Sequence, residues 1–169
     1  MKLPKVGARM VKSAFAVLIC FCIDYFREGS LPFYSAIAAV LCMQPEVSHS
    51  VKVAVNRTEG TLIGGTFGMG VLWLFHQYVP GEPPIWRYLI ISAMIIVLIY
   101  ITVLIKLPAA SYITCVVFLS ITVSHVADAN PFWFTLNRVA DTLIGIFVSL
   151  AVNRLVWRRA TAPEGEKEE

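Results

Sequence analysis

One uninterrupted apolar stretch limits what this chain can fold into. From Tyr88 to Ile105, eighteen consecutive residues carry no charged side chain. A soluble core helix breaks its apolar run with polar residues, whereas a helix that crosses a bilayer needs about 20 apolar residues in a row. The whole chain agrees, since 15% of its residues are charged, against about 25% in soluble domains. We therefore predict an integral membrane protein with an all-α fold.

Six apolar stretches of this kind predict six membrane spans. They cover residues 9–26, 33–44, 60–79, 88–105, 109–127 and 139–157. With six spans, eleven Lys and Arg residues lie on the side of both termini, and Arg27, Arg87 and Arg138 lie on the other. The positive-inside rule then places both termini in the cytoplasm of a multi-pass plasma-membrane protein. Residues 160–169 are polar and predict a disordered cytoplasmic tail, and we expect no soluble domain.

A nine-residue peptide occurs twice in the chain. The pattern Asn-Arg-x-x-(Gly/Asp)-Thr-Leu-Ile-Gly begins at Asn56 and again at Asn137. The pattern Leu-Pro-x-x-Ser-x-Ile-x-x-Val at residues 31–40 recurs at 107–116, and Val-Ser-His at 47–49 recurs at 123–125. Chance explains matched apolar residues, but not matched Pro, Ser-His and Asn-Arg in the same order. Each half holds three spans, an odd number, so we predict two inverted repeats (9–79 and 88–157) within a six-helix transmembrane domain of residues 1–158.

The arginines of the repeated peptide are the first candidates for function. Each precedes an apolar stretch, so we expect Arg57 and Arg138 at helix N-termini, Arg57 on the cytoplasmic side and Arg138 on the outer side. A guanidinium beside free backbone N–H groups suits a carboxylate. Alternatively, each arginine pairs with a nearby acid, Glu59 or Asp141, or caps the C-terminus of another helix.

Two stripes with a spacing of four residues follow the repeated peptides. Gly60, Gly64 and Gly68 form a small face that is typical of helix packing. The equivalent face of the last span is small and polar and is a candidate lining for a water-filled path. Asp141 there is alternatively an N-terminal cap, and Gly145 a packing residue. The candidate substrate or pathway residues are Asn56, Arg57, Asn137, Arg138, Asp141, Ser149 and Asn153.

Other ionisable residues have plainer interpretations beside functional ones. His49, His125 and Asp141 are candidate proton-relay residues, with hydrogen-bonded structural histidines as the alternative. Asp24 and Arg27 are expected to form a surface ion pair. The short second and fifth spans, with Pro45 and Pro108 at their ends, point to the binding region. The four cysteines form no CxxC or zinc pattern, and phosphate loops and nucleophile elbows are absent, so we expect no metal, cofactor or enzyme activity. No basic stripe suggests nucleic acid.

The order of these motifs resembles a known family. The first helix is basic and then apolar, with Arg9-x-x-Lys12 at its start. Three motifs follow at residues 32, 43 and 56: Pro-x-x-Ser-x-Ile-Ala-Ala, Met-Gln-Pro-x-Val-x-x-Ser and Asn-Arg-x-x-Gly-Thr-Leu-Ile-Gly-Gly. This order resembles the aromatic acid exporter family, within the wider fusaric acid resistance-like superfamily, over residues 1–158. The resemblance implies a six-helix transmembrane unit that exports or passes organic anions.

These observations together predict an inner-membrane transporter that exports organic or aromatic carboxylate anions. Its partners would be the small anion, the lipid bilayer and further copies of itself, because six spans are few to enclose a path alone. Two alternatives remain open at this stage. One is a passive organic-anion channel, and the other is a non-transporting membrane subunit whose halves only pack and assemble.

Overall fold

The regular structure of the described residues is helical throughout. The computed structural model describes residues 7–78, 85–124 and 131–160, and the prediction of an all-α fold is confirmed for them. The helices are α1 (Ala8–Tyr25), α2 (Pro32–Cys42), α3 (Val47–Tyr78), α4 (Ile85–Leu104), α5 (Ser111–Ser124, after a 3₁₀ turn at Pro108–Ala110) and α6 (Pro131–Ala160). The predicted tail after residue 160, the loop of residues 80–84 and His125 lie outside the described residues.

The third and sixth helices begin well before the predicted spans. The expected starts at Gly60 and Val139 are wrong, because α3 begins at Val47 and α6 at Pro131. Polar residues suggested a loop before Gly60. The helix nevertheless continues through them because Ser50, Ala54 and Arg57 recur at helical spacing and are buried on one side. Pro131 suits the first turn of α6, since its fixed φ is helical and its missing N–H is not needed there.

The helices pack in two groups of three. In one group, α6 packs with α1 and α2 around a buried apolar cluster. In the other, α5 contacts both α3 and α4, and Val71, Phe75, Ile91, Leu98 and Phe118 bury a second cluster between these three helices. The third helix of each sequence half therefore lies against the second helix of the other half. A contact between α3 and α6 joins the two groups.

Glycines bring the paired helices into backbone contact. A Cβ atom built on Gly64 of α3 would lie 2.4 Å from the carbonyl oxygen of Thr114 in α5. One built on Gly145 of α6 would lie 2.1 Å from the carbonyl oxygen of Ser35 in α2. Real side chains do not tolerate such distances. The neighbouring glycines Gly60 and Gly68 also face α5. Successive glycines of α3 meet successively later residues of α5, so the two helices run parallel.

Two of the described helices are long and apolar enough to cross a membrane, judged by length and composition. They are Ile85–Leu104, with a mean hydropathy of 2.3, and Phe132–Leu155. Residues of α4 such as Leu89, Ile96 and Leu104 are about two-thirds exposed. An apolar surface of this size on one helix suits contact with lipid better than contact with water. The helices Pro32–Cys42 and Pro108–Val123 are apolar but shorter.

Candidate functional site

A cleft with a volume of about 560 Å³ lies between α2 and α5. The two short helices supply most of its walls, while α3 contributes Arg57 and α6 contributes Arg138. The two arginines of the repeated peptide thus line the same cavity. The remaining lining residues are mainly apolar and aromatic: Phe33, Tyr34, Ile37, Leu41, Tyr112, Ile113, Val116, Leu119, Ser120 and Val123.

Arg138 is held in place by several partners. Its Nε donates to the hydroxyl of Ser120 at 3.3 Å, and its Nη1 donates to the hydroxyl of Thr142 at 3.1 Å. The guanidinium carbon lies 3.2 Å from the centre of the Tyr34 ring, a cation–π contact. The Tyr34 hydroxyl in turn lies 3.0 Å from the Ser120 hydroxyl. Arg138 is therefore a fixed positive charge at the wall of the cleft.

Arg57 is just as buried but has far fewer partners. Its side chain is 7% exposed, and its Nε has no hydrogen-bond partner among the described residues. No acidic group in those ranges forms an ion pair with it, so the predicted pairing with Glu59 is wrong. A guanidinium removed from water is costly unless it is paired. Arg57 therefore presents an unsatisfied positive charge to a mainly apolar cleft.

Neither arginine lies at a helix N-terminus, contrary to the sequence prediction. Arg57 comes ten residues after the start of α3 at Val47, and Arg138 comes seven after the start of α6 at Pro131. Backbone N–H groups at these positions are bonded within the helix, and the dipole effect is confined to the first turn. Any attraction for anions therefore comes from the two guanidinium groups rather than from helix ends.

Asp141 lies in a second buried cluster and joins three parts of the chain. Its Oδ1 pairs with the guanidinium of Arg27, and its Oδ2 accepts a hydrogen bond of 3.0 Å from the backbone N–H of Leu31. The predicted cap of its own helix is wrong, because Asp141 lies ten residues into α6. It instead satisfies an N–H at the start of α2, where a carboxylate is favoured.

Asp24 belongs to the same cluster. The predicted surface ion pair with Arg27 is wrong, since Asp24 is 3% exposed and Arg27 pairs with Asp141. The hydroxyl of Ser35 donates to Asp24 Oδ2. The other carboxylate oxygen, Oδ1, is buried with no hydrogen-bond partner among the described residues. Two carboxylates are thus buried in this cluster, and the arginine pairs with one of them.

Comparison with protein families identifies the family of this chain. Residues 14–152, most of the chain, match the fusaric acid resistance protein-like family. The chain belongs to this family. Membership makes it a membrane protein of a transport-related family rather than a member of an enzyme family. The resemblance inferred from the Pro, Met-Gln-Pro and Asn-Arg motifs is confirmed at this level.

Curated relatives are also similar to this chain. It is 24% identical over 149 residues to UPF0421 protein YgaE of Bacillus subtilis, covering 88% of this chain and 39% of the relative. It is 27% identical over 159 residues to a UPF0421 protein of Halalkalibacterium halodurans, covering 92% and 41%. The chain therefore spans about two-fifths of the length of these relatives. No solved structure matches the chain.

The remaining candidates from the sequence lie apart from the cleft. Asn153 is 2% exposed and donates to the Gln44 carbonyl at 3.0 Å and to the Ser50 hydroxyl at 2.8 Å, so it ties α6 to the connection between α2 and α3. Ser149 is fully buried between the helices. The Ser149 hydroxyl has no hydrogen-bond partner in the described ranges. This part of α6 packs beside α1 and α2, and a polar path along it stays a prediction.

The asparagines and His49 also lie outside the cleft lining. Asn56 is partly buried, and His49 is exposed in the first turn of α3. Asn137 is buried against Gly29, whose positive φ of 75° turns the chain between α1 and α2. The first and second Asn of the repeated peptide therefore have no visible part in the cleft, although the adjacent arginines do.

The sequence alone did not identify three polar residues around Arg138 of the cleft. Tyr34, Ser120 and Thr142 hold Arg138, yet none was singled out beforehand. Ser120 carries one usable signal, because it is a polar residue within an apolar span. No group of three His, Cys, Asp or Glu residues that could hold a metal occurs in the described ranges. The charged groups that line the cleft are the guanidinium groups of Arg57 and Arg138, which suit anions.

Proposed function

We propose that this chain is a six-span unit of two inverted three-helix repeats that passes organic carboxylate anions across the plasma membrane. The proposal takes α1 to α6 as the six spans, with both termini in the cytoplasm and transport directed outward. In support of two related halves, each half packs its third helix against the second helix of the other half. These contacts are the parallel packing of α3 with α5 and the contact of α6 with α2. Family membership supports transport, and the charge distribution supports the orientation.

The observation that carries the proposal is the state of Arg57. Its buried guanidinium has an unpartnered Nε and lines an apolar cleft. A carboxylate would supply the missing charge and accept paired hydrogen bonds from the fork of the guanidinium. Arg138, fixed on the same cavity, adds a second positive charge. Phe33, Tyr34 and Tyr112 of the cleft favour an aromatic body on the anion.

The packing of the glycine stripe bears on the alternative of a non-transporting assembly subunit. Gly60, Gly64 and Gly68 are occupied by α5 of the same chain. They therefore leave no small-residue groove on this face for a separate partner helix. Self-association remains part of the proposal because six helices form a narrow bundle. A carrier and a passive channel differ in whether the flux saturates with anion concentration.

Flux through purified protein in lipid vesicles tests the proposal. The probe is phthalate, an aromatic dicarboxylate that crosses protein-free lipid slowly, and the readout is its efflux at neutral pH. Wild-type vesicles should release phthalate faster than empty vesicles. Arg57→Gln should lower the rate about 10-fold or more, because hydrogen bonds to charged groups contribute about 1.5–3 kcal/mol each.

The matched control for this variant is Arg154→Gln. Arg154 is an exposed arginine of α6 that does not line the cleft. Its substitution should leave the efflux unchanged. Efflux equal to that of empty vesicles, for phthalate and also for the aliphatic dicarboxylate succinate, would contradict the transport of organic anions. Equal loss in both variants would contradict the role of Arg57.

A further inference from the structure

The cluster of Asp24, Asp141 and Arg27 has an unbalanced charge. Both carboxylates are almost fully buried, and the one ion pair of the described residues joins Arg27 to Asp141. Nη1 of Arg27 has no hydrogen-bond partner in the described ranges, and no ion pair reaches Asp24. With both acids ionised, the cluster holds one net negative charge away from water. Such a charge is unfavourable unless something neutralises it.

We propose that this cluster is a proton-binding site in which Asp24 takes the proton. The carboxylate oxygens of Asp24 have different surroundings. Oδ2 accepts a hydrogen bond from Ser35, whereas Oδ1 is buried without a partner in the described ranges. Adding a proton to Oδ1 forms one O–H bond and leaves a neutral carboxylic acid. The proton comes from water, and no other reactant is needed.

The other groups around Asp24 explain why the proton goes to this residue. Cys20 lies one turn earlier on α1 and is buried in an apolar cluster. On the connection to α2, Arg27 is engaged by Asp141, and α2 itself presents the neutral hydroxyl of Ser35. On α6, both carboxylate oxygens of Asp141 already have partners, the Arg27 guanidinium and the N–H of Leu31, so Asp141 has no free oxygen. Arg138, one turn before Asp141, faces Tyr34 in the cleft.

A metal ion fits this cluster less well than a proton. Sodium, calcium and magnesium need about six oxygen ligands. Oδ1 of Asp24 is the one free carboxylate oxygen here, because Ser35 occupies Oδ2 and the partners of Asp141 occupy both of its oxygens. The guanidinium of Arg27 would also repel a cation. One unpartnered oxygen is enough for a proton.

The cluster and the cleft share two helices, which provides a route for coupling. On α2, Tyr34 lines the cleft and the next residue, Ser35, contacts Asp24. On α6, Arg138 lines the cleft and Asp141 follows three residues later. A proton on Asp24 removes a negative charge beside α2, a helix that also lines the cleft, so proton and anion binding should favour each other. This coupling rests on the proposed function, whereas proton binding itself does not.

Infrared spectroscopy tests proton binding directly. The full chain in lipid vesicles, without any organic anion, is titrated with acid and base while the carbonyl stretch of protonated carboxyl groups is recorded. Wild-type protein should show a titrating band that is absent in Asp24→Asn. The matched control Glu28→Gln removes an exposed acid four residues away and should keep the band.

Further variants keep the test decisive if Asp24→Asn folds poorly. Ser35→Ala removes the donor that favours the charged form, so the band should persist to a higher pH. A band that Asp24→Asn leaves intact, or that Ser35→Ala does not move, would overturn the proposal. Loss of the band in Glu59→Gln would also overturn the proposal, because Glu59 has a buried oxygen without a partner in the described ranges too. If the band disappears when sodium replaces potassium in the buffer, the cluster is a metal site instead.

Phthalate binding separates this inference from the proposed function. In wild-type protein the affinity for phthalate should fall as the band disappears with rising pH, and in Asp24→Asn it should lose this dependence. If the band behaves as expected and phthalate does not bind, the proton site stands and anion transport fails. If phthalate binds with the same affinity whether the band is present or absent, transport stands and the coupling is refuted.

Discussion

Replacing Arg57 by Gln should stabilise the protein while it removes anion binding. Arg57 is 7% exposed and its Nε has no partner among the described residues, so the fold bears the cost of burying its charge. Replacing a buried ion pair by well-packed hydrophobic residues of similar volume is often neutral or stabilises other proteins by about 1–4 kcal/mol, and removing one unpaired buried charge avoids the same desolvation cost. Gln keeps an amide that also needs hydrogen bonds, so we expect about 1–2 kcal/mol. For a chain of this size that is a rise in Tm of roughly 2–8 °C.

Thermal unfolding of the purified variant, with and without phthalate, measures this effect. Without ligand, Arg57→Gln should unfold at a higher temperature than wild type. Phthalate should raise the Tm of wild type but not that of Arg57→Gln. The exposed control Arg154→Gln should stay within about 0.5 kcal/mol of wild type and keep the response to phthalate. A fall in the Tm of Arg57→Gln would refute the argument, because it would mean that the guanidinium supports the fold.

Three further outcomes follow from the packing and can be measured in the same assays. Gly64→Ala should lower the free energy of unfolding by about 1–3 kcal/mol, because its Cβ would lie 2.4 Å from a backbone oxygen. The control Gly70→Ala, whose Cβ would have nothing within 4 Å, should raise it by about 0.5–1 kcal/mol through helix propensity. Equal Tm shifts in the two variants would contradict the tight contact. Asn153→Ala should lower the free energy of unfolding by about 1–3 kcal/mol, since it removes two hydrogen bonds, one to the Gln44 carbonyl and one to the Ser50 hydroxyl; an unchanged Tm would count against this link. Arg138→Lys keeps the charge but loses the planar fork, so phthalate flux should drop several-fold at constant protein abundance, and wild-type flux would show that charge alone suffices.

Much of the fold was predictable from the sequence because its signals are local. Apolar runs without charge predicted helices and a membrane protein, and the motif order predicted the family. Helix starts were not predictable in the same way. Eight of the twelve residues 48–59 are polar, yet Ser50 and Arg57 face inward on α3. A hydropathy pattern cannot distinguish a buried polar residue from a loop residue, since the difference lies in the partner helix.

The candidate site was predictable only in part, for the same reason. The repeated peptide pointed to Arg57 and Arg138, but their meeting in one cleft depends on the packing of α2, α3, α5 and α6. Asp141 illustrates the limit most clearly. Its partner Arg27 lies 114 residues away in the chain, so neighbouring residues suggested a cap and a pathway instead. Local patterns identify which polar residues are unusual, and tertiary packing decides what each one contacts.

The repeat also explains why the two arginines differ. An offset of 76 residues maps Tyr34, which stacks on Arg138, onto Ala110, and maps Ser120, which accepts from Arg138, onto Gln44. Arg57 therefore has no equivalent aromatic ring or serine. Thr61, the counterpart of Thr142, is buried with its hydroxyl unpartnered in the described ranges. The different residues at these positions leave one arginine fixed and the other unsatisfied, so an incoming carboxylate should bind first to Arg57.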